Sequence, residues 1–323
     1  MRVVISSDHV DSQGDLITKQ GLESAADIIN GDRKVRYSVE HMTGLPPLGK
    51  IVNAEVIESE GHHYLTVEML KYDVYEEIEW DKDLVKASCS SNDQPLNEPD
   101  FDISSQIKVS LDEANFETRA DFEEYIQVLK QSNLDIETES FLRKSIFNDP
   151  EIIVKIAEYY FIYKFLRSAL DKTVNKISDQ LSDKFAEDTI KLYDFIRQSV
   201  KELLVKAIPK NRPISYVIKI SGNPEVELFA SIKEPDLLMK ALEFDELTNL
   251  KHKITEIKNK IVFEKIQFVL TKTGKWEFNF LLTNKGEAVG RKSSFRKRDR
   301  MLELVIDKTT PRLPHDDANG GFG

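Results

Sequence analysis

The chain has 323 residues, of which 40% are hydrophobic and 31% are charged, a composition that excludes global disorder and suits two or three folded domains. We expect neither a membrane-spanning segment nor a secretory signal, because no apolar run approaches the roughly 20 residues that cross a bilayer. The single cysteine, Cys89, cannot form an intramolecular disulfide, which fits a reducing, cytoplasmic location. The net charge is −11, and residues 1–120 hold 24 acidic and 11 basic residues, so nucleic acid is not expected as a partner of this part.

Residues 1–117 show the short apolar runs and turns of a β-rich domain. Residues 18–30 differ, because their apolar residues recur at helical spacing and are followed by Gly31, which suits a helix C-cap. The predicted elements are a strand at 3–6, a helix at 18–30, a hairpin of strands at 51–58 and 63–69, a helix at 74–80 and a loop at 91–102.

Residues 118–210 change to helical patterning. The run Asp149-Pro150-Glu151 favours a helix start, because Asp caps free amides, Pro tolerates the first turn and Glu complements the helix dipole. Over residues 152–181, apolar side chains recur every three or four positions, which predicts a long helix with a coiled-coil-like seam. This seam either packs within its own bundle or lets the helices of residues 150–206 self-associate. A second helix is predicted over residues 185–206, ahead of two prolines.

Residues 211–310 mix strand and helix patterns and predict a small α+β domain. Its predicted elements are strands at 214–221 and 225–232, a helix at 235–262 and a hairpin of strands at 266–272 and 276–283. Residues 311–323 are rich in glycine and proline, and we expect them to be disordered unless bound.

A serine hydrolase needs a hydroxyl beside a base, usually histidine, and a third group that orients the imidazole. Of the six histidines, His41 is the best base candidate, because it precedes the turn-rich stretch 42–49 and should lie at a strand end. The sequence lacks the glycine-rich phosphate loop, the dinucleotide fingerprint and the HExxH and CxxC spacings. We therefore expect no cofactor and no metal.

Three motifs occur in order along the first part of the chain. Residues 10–18 read VDSQGDLIT, His41 is followed by PLGKIV at residues 47–52, and Ser88 lies in LVKASCS at residues 84–90. This segment resembles phage prohead (capsid-maturation) serine proteases, whose motifs are VDxxGD, a histidine followed by PxGK/R, and LxGxSIG. The resemblance is confined to residues 1–117.

The resemblance implies a closed β-barrel protease related to herpesvirus assemblins, in which Ser88 attacks the scissile carbonyl and His41 takes its proton. The function implied is a serine endopeptidase that cleaves scaffold or capsid proteins, or itself, in the bacterial cytoplasm or within a procapsid. Phage capsid or scaffold proteins would be its partners. The predicted fold is therefore α+β, with a β-barrel-like protease domain, a helical middle region and a small C-terminal α+β domain.

Two positions depart from the family pattern. Ser90 stands where the family has a glycine, and Lys108 stands where it has the acid that completes the triad. A lysine there would repel an imidazolium rather than stabilise it. The candidates for a substitute third group are His62, His63, Glu68 and Asp93.

Other interpretations of the sequence stay open. The main alternative is a catalytically degenerate protease-like module for binding or assembly, whose C-terminal domain recognises a partner protein. A third is a host protein that reuses the domain in signalling or defence. His62 and His63 with Glu60 suggest a metal site, but neighbouring strand residues point to opposite faces, which disfavours joint ligation. The basic cluster at 291–298 predicts a solvated helix start, or else a surface for an acidic partner or nucleic acid.

Overall fold

The structure is a computed structural model. It describes residues 2–10, 16–96, 107–132, 134–141, 150–157, 179–210 and 212–309. These residues form fourteen strands and six α-helices, which confirms the predicted mixture of α and β structure. Within this part of the chain, no helix combines the length and the apolar character needed to cross a membrane.

The strands divide into two sheets. The strands are β1 (Arg2–Ser7), β2 (Val35–Tyr37), β3 (Gly49–Ser59), β4 (His62–Lys71), β5 (Val74–Ile78), β6 (Asp81–Ser88), β7 (Ile107–Asp112), β8 (Ile136–Phe141), β9 (Glu151–Ile156), β10 (Ile214–Ile220), β11 (Glu225–Ile232), β12 (Lys265–Leu270), β13 (Trp276–Leu282) and β14 (Ala288–Arg291). One sheet has four strands in the order β1-β4-β3-β2. The other has ten strands in the order β5-β6-β14-β13-β12-β11-β10-β9-β7-β8.

The helices pack on these two sheets. They are α1 (Lys19–Asn30), α2 (Arg119–Lys130), α3 (Asp179–Lys206), α4 (Pro235–Ala241), α5 (Phe244–Lys258) and α6 (Lys292–Thr309). The first helix begins where the Gly21 amide donates a hydrogen bond to Thr18 Oγ1 at 3.2 Å, which satisfies one of the free amides of a helix start. Its buried residues Leu22, Ala26 and Ile29 lie one helical turn apart and pack against the four-stranded sheet.

The two faces of the ten-stranded sheet differ, because side chains alternate along each strand. The face that carries Ile218, Leu228 and Ile266, here the helix face, forms a core with residues of α2 to α5. The face that carries Glu227 and Lys265, here the loop face, is polar near the middle of the sheet. Both charged side chains are at most 1% exposed, so this polar patch must satisfy its own hydrogen bonds.

The predicted three-part layout is not confirmed, because the ten-stranded sheet takes strands from all three parts. In it, β6 pairs with β14, β7 pairs with β9, and β9 pairs with β10. The strands of residues 1–117 are thus divided between two sheets, and the closed barrel predicted for them is not observed among the described residues. Residues 311–323, predicted to be disordered, lie outside the described residues.

Two helix predictions are wrong. Residues 74–80, predicted as a helix, contain strand β5, and the predicted helix start at residues 149–151 leads into strand β9. In β9, Ile152, Val154 and Ile156 alternate on one face and are fully buried, so the period of two outweighs the helix start signal. The predicted seam and the self-association through residues 150–206 rest largely on residues 158–178, which lie outside the described residues.

Several other predicted elements are confirmed. Helix α1, the β3–β4 hairpin, strands β10 to β13 and the end of α3 at Lys206 match their predicted places. The hairpin turns at Gly61, whose φ of 81° favours glycine. The helix predicted over residues 235–262 is divided into α4 and α5. Residues 292–298 of the basic cluster begin helix α6, as predicted, but Arg298 is buried rather than solvated.

Candidate functional site

His41 lies between β2 and β3 in the loop of residues 39–48, here the His41 loop, and its side chain is exposed. The backbones of Glu40 and His41 are both left-handed, with φ values of 44° and 56°. Each such conformation costs a side-chain-bearing residue about 1–3 kcal/mol, and it persists only where the surroundings hold it in place. The contacts of the His41 loop therefore determine whether this arrangement is rigid.

The His41 loop is fastened to the loop face of the ten-stranded sheet and to α6. Three buried side chains donate hydrogen bonds to its carbonyl oxygens, namely Gln267 Nε2 to Thr43 at 2.8 Å, Asn279 Nδ2 to Gly44 at 3.1 Å and Arg298 Nη1 to Pro47 at 2.8 Å. Its apolar residues Val39, Leu45 and Leu48 pack with residues of α6. The loop is thus a fixed cover on the sheet.

Ser88 ends strand β6 and lies opposite Val74 of β5. Its carbonyl oxygen accepts a hydrogen bond from the Asp73 amide at 3.0 Å. The residues on either side of it, Ala87 and Cys89, are buried in an apolar cluster. The side chain of Ser88 therefore points to the other face of β6.

Ser88 and the His41 loop lie on opposite faces of the ten-stranded sheet. Ser88 shares a face of β6 with Lys86, which lies opposite Val289 of β14. Val289 in turn lies opposite Leu281, and both belong to the apolar core on the helix face. Ser88 therefore points to the helix face. His41 belongs to the loop that covers the loop face. The structure thus does not bring the hydroxyl and the imidazole together, and their roles as nucleophile and base stay predictions.

Lys86 is the charged neighbour of Ser88 on the same face of β6. Its Nζ lies 2.7 Å from Glu76 and 3.6 Å from Glu287. The hydrogen bond with Glu76 raises the pKa of Lys86. A lysine that serves as a base needs a lowered pKa, and the ion pair with Glu76 has the opposite effect on Lys86.

Lys108, predicted from the sequence to stand where a catalytic acid would be, lies far from Ser88. Six strands separate β7 from β6 in the sheet, which at a strand spacing of about 4.8 Å is a path of roughly 34 Å along the sheet. Lys108 Nζ lies 2.7 Å from Glu139 and 3.2 Å from Glu137. Burial raises the pKa of Glu139, but hydrogen bonds from Lys108, Ser110 and Lys155 outweigh burial and lower it to about 2. This position belongs to a separate ion-pair cluster.

The predicted substitutes for the third group have other contacts. Glu68 accepts a hydrogen bond from Asn53 Nδ2 at 2.8 Å. Asp93 is one of the charges that act on the buried Lys50. Ser90, which stands where the resemblance predicts a glycine, donates its hydroxyl proton to Asp73 at 2.5 Å. None of these contacts is with Ser88 or His41.

His62 and His63 both contact one carboxylate that sequence reasoning missed, that of Asp8. His62 Nδ1 lies 3.1 Å from Asp8 Oδ1, and His63 Nδ1 lies 2.7 Å from Asp8 Oδ2. Hydrogen bonds from His63 lower the pKa of Asp8 to about 2. Neighbouring strand residues can share a partner here because Asp8 follows the end of β1 and has two oxygens. The only sequence signal is the pair Asp8-His9 directly ahead of the 10–18 motif.

A buried polar network lies under the His41 loop. Glu227 is fully buried and lies 2.9 Å from Lys265 Nζ and 3.3 Å from Lys219 Nζ. Burial raises the pKa of Glu227, but the charges of Lys265, Lys219 and Arg36 outweigh burial and hold it well below 4.5. Gln267 also donates to this carboxylate. The network joins the middle of the sheet to the His41 loop through Gln267.

Comparison with protein families, with curated proteins and with solved structures finds no match to this chain. Its function therefore has to be argued from the arrangement of its own residues.

Proposed function

We propose that this chain is a non-catalytic module for protein binding or assembly, built on a segment that resembles prohead proteases. The observation that carries this proposal is that Ser88 points to the helix face of the ten-stranded sheet, whereas the His41 loop is bound to the loop face. Proton transfer between a nucleophile and its base needs a distance of about 3 Å. Contacts through Gln267 and Arg298 hold the His41 loop in place, so a small movement would not close the gap.

The remaining parts of a serine protease site are also dispersed. Six strands lie between the strand of Lys108 and that of Ser88, and Lys108 pairs with Glu139. Lys86, the charged neighbour on the face of Ser88, is paired with Glu76. A nucleophile without a base or an orienting group loses most of its rate advantage, and this supports binding rather than catalysis.

Strand β5 is the edge best suited to a protein partner. It is the outermost strand at one end of the ten-stranded sheet, and an edge strand offers backbone groups to an added strand. Tyr75 is 51% exposed, and Trp80, just beyond the strand, is 38% exposed. Aromatic side chains are enriched at protein interfaces. The occupant we propose is an extended segment of a partner protein.

Co-expression with candidate capsid and scaffold proteins from the same locus, followed by intact-mass measurement of every chain, tests this function. Wild type, Ser88→Ala and the matched control Ser90→Ala should all leave the partners uncut, and a fluorophosphonate probe should not label Ser88. A complex should form with all three, and Tyr75→Ser should weaken it. Ile57→Ser, which removes an apolar side chain 39% exposed in the other sheet, should leave the complex unchanged.

A serine endopeptidase is the second candidate, and the order of the three sequence motifs that end at Ser88 favours it. Cleavage that is present in wild type and Ser90→Ala but absent in Ser88→Ala would establish it and overturn the binding proposal. Equal complex formation by wild type and Tyr75→Ser would instead remove β5 as the docking edge.

A further inference from the structure

The strongest cluster of metal-ligating side chains in the described part of the chain lies away from Ser88 and His41, where β1 ends and β4 begins. One ligand atom from each of Asp8, His9 and His62 lies within 4.8 Å of the other two. We propose that this triad binds one divalent transition-metal ion of the zinc class. The inference is independent of the proposed function.

The ligand types suit this class of metal. Zinc takes imidazole nitrogens at about 2.0–2.1 Å and carboxylate oxygens at about 2.0–2.2 Å, often with three protein ligands and one water. Ligand atoms around a tetrahedral ion at those bond lengths lie about 3.3 Å apart. The three side chains therefore need to close by about 1.5 Å at most, from separations within 4.8 Å. His9 and His62 are exposed enough to make this movement by rotating their side chains.

The present arrangement of the two rings also favours a shared ligand. The His9 and His62 rings are stacked, with centroids 3.8 Å apart and planes 21° apart. The stacking thus already holds two imidazole ligands side by side, with ligand atoms within 4.8 Å of each other.

His63 acts as a positioning residue for Asp8. Its Nδ1 lies 2.7 Å from Asp8 Oδ2, its amide donates to Asp8 Oδ1 at 2.9 Å, and its Nε2 lies 3.8 Å from Glu58. Side chains that hold a ligand in this way orient it before the metal arrives. Asp8 is therefore held by His63, while the exposed His9 and His62 rings make single polar contacts, with Ser7 Oγ at 3.2 Å and Asp8 Oδ1 at 3.1 Å, that a metal ion would replace.

A bound ion would link the end of β1, through Asp8 and His9, to the β3–β4 hairpin, through His62. Asp8 already contacts this hairpin through its backbone, because its amide donates to the His63 carbonyl oxygen at 3.0 Å. Residues 11–15, which follow the ligands Asp8 and His9, lie outside the described residues. The expected consequence of binding is therefore a higher melting temperature.

Calorimetric titration of the untagged full-length chain with ZnCl2 at pH 7.5, after removal of metal with a chelator, tests the site. Wild type should bind one zinc ion, and cobalt should give the absorption bands of a tetrahedral ion. His9→Ala and His62→Ala should each weaken binding at least tenfold. His63→Gln should weaken it by about 10–100-fold, the range for residues that orient a ligand.

His252→Ala is the matched control, because His252 is exposed on α5 and far along the chain from the triad. It should bind zinc as wild type does, and circular dichroism should show every variant folded. No saturable binding by wild type, or wild-type affinity in both His9→Ala and His62→Ala, would overturn the proposed site.

Discussion

Replacing Glu227 with glutamine should strongly destabilise the fold, because it breaks the buried ion pair at the centre of the loop face. In wild type, Lys265 is 1% exposed and lies 2.9 Å from Glu227 and 3.3 Å from Glu225. The glutamine amide would have to face either the Lys265 ammonium or the Gln267 amide, and both are donors. Removal of one partner of a buried pair costs about 3–5 kcal/mol. The remaining partner Glu225 favours the lower end, about 3 kcal/mol.

A loss of this size is measurable by scanning calorimetry. At roughly 2–4 °C per kcal/mol for a chain of more than 150 residues, we expect the melting temperature to fall by about 6–12 °C. Glu123→Gln is the matched control, since it removes the same charge from an exposed pair with Arg119 on α2, and such pairs contribute about 0.5 kcal/mol. Equal shifts for the two variants would refute the buried network.

A double-mutant cycle with Lys265→Met then isolates the pair. The double variant should lose less stability than the sum of the single variants, with a coupling energy of about 2 kcal/mol. Additive losses would mean that the destabilisation comes from packing and not from the pair.

The effect of Glu227 should also depend on pH. The pKa of Glu227 in the folded protein is lowered from its ordinary value of 4.5, so its contribution is complete above pH 4.5. As the pH falls below 4.5, the unfolded chain takes up a proton that the folded chain does not, and the contribution declines. The gap in stability between wild type and Glu227→Gln should therefore narrow between about pH 5 and pH 3.5 in urea unfolding experiments.

Three further substitutions test other parts of the fold. Lys50→Met should cost about 3 kcal/mol in urea unfolding, because the buried Lys50 Nζ donates to three backbone carbonyl oxygens, and unsatisfied buried acceptors cost about 1–3 kcal/mol each. Gly44→Ala should cost about 1–3 kcal/mol by overpacking, since its Cβ would lie 2.7 Å from the Phe229 ring; Phe229→Leu in the same chain should recover part of the loss. Lys108→Glu should lower stability by about 1 kcal/mol, because it faces Glu139 with a like charge, and it should give no fluorophosphonate labelling of Ser88.

The sequence predicts elements whose pattern is complete within one segment. Helix α1 carries its N-cap residue Thr18 and its apolar stripe in adjacent residues, and the β3–β4 hairpin carries its alternating runs on either side of Gly61. Neither depends on a distant partner for its recognition. Both can therefore be predicted from the local sequence alone.

Elements that depend on distant partners are harder to predict. The stretch Glu151–Ile156 is buried as a strand because β7 and β10 pair with its two edges, and a short apolar run fits a strand or a buried helix equally well. The pairing of β6 with β14 joins residues about 200 positions apart, which no local pattern indicates. The predicted closed barrel is not confirmed for the same reason, because strands of residues 1–117 pair with strands from later in the chain.

The geometry of the candidate site likewise depends on contacts between segments that lie far apart in the sequence. Alternation in β6 shows that Ser88 and Cys89 point to opposite faces, but only the sheet order shows which face the His41 loop covers. Likewise, the alternating charges of β11 and β12 indicate a polar face, but not that Thr43 and Gly44 would cover it. The Asp8 contacts depend on where β1 ends beside β4, which the sequence does not specify.

The segment of residues 1–117, for which the sequence motifs predict a prohead-protease-like domain, is not independent of the rest of the chain. Its strand β6 pairs with β14, and carbonyl oxygens of its His41 loop accept hydrogen bonds from Gln267, Asn279 and Arg298. A protease domain that works alone would hold its base through contacts within its own segment. Here C-terminal residues hold the His41 loop, and they hold it on the face of the sheet away from Ser88. The geometry of this segment is thus set by its partners in the sheet, which is the reason that motif order alone does not establish catalysis.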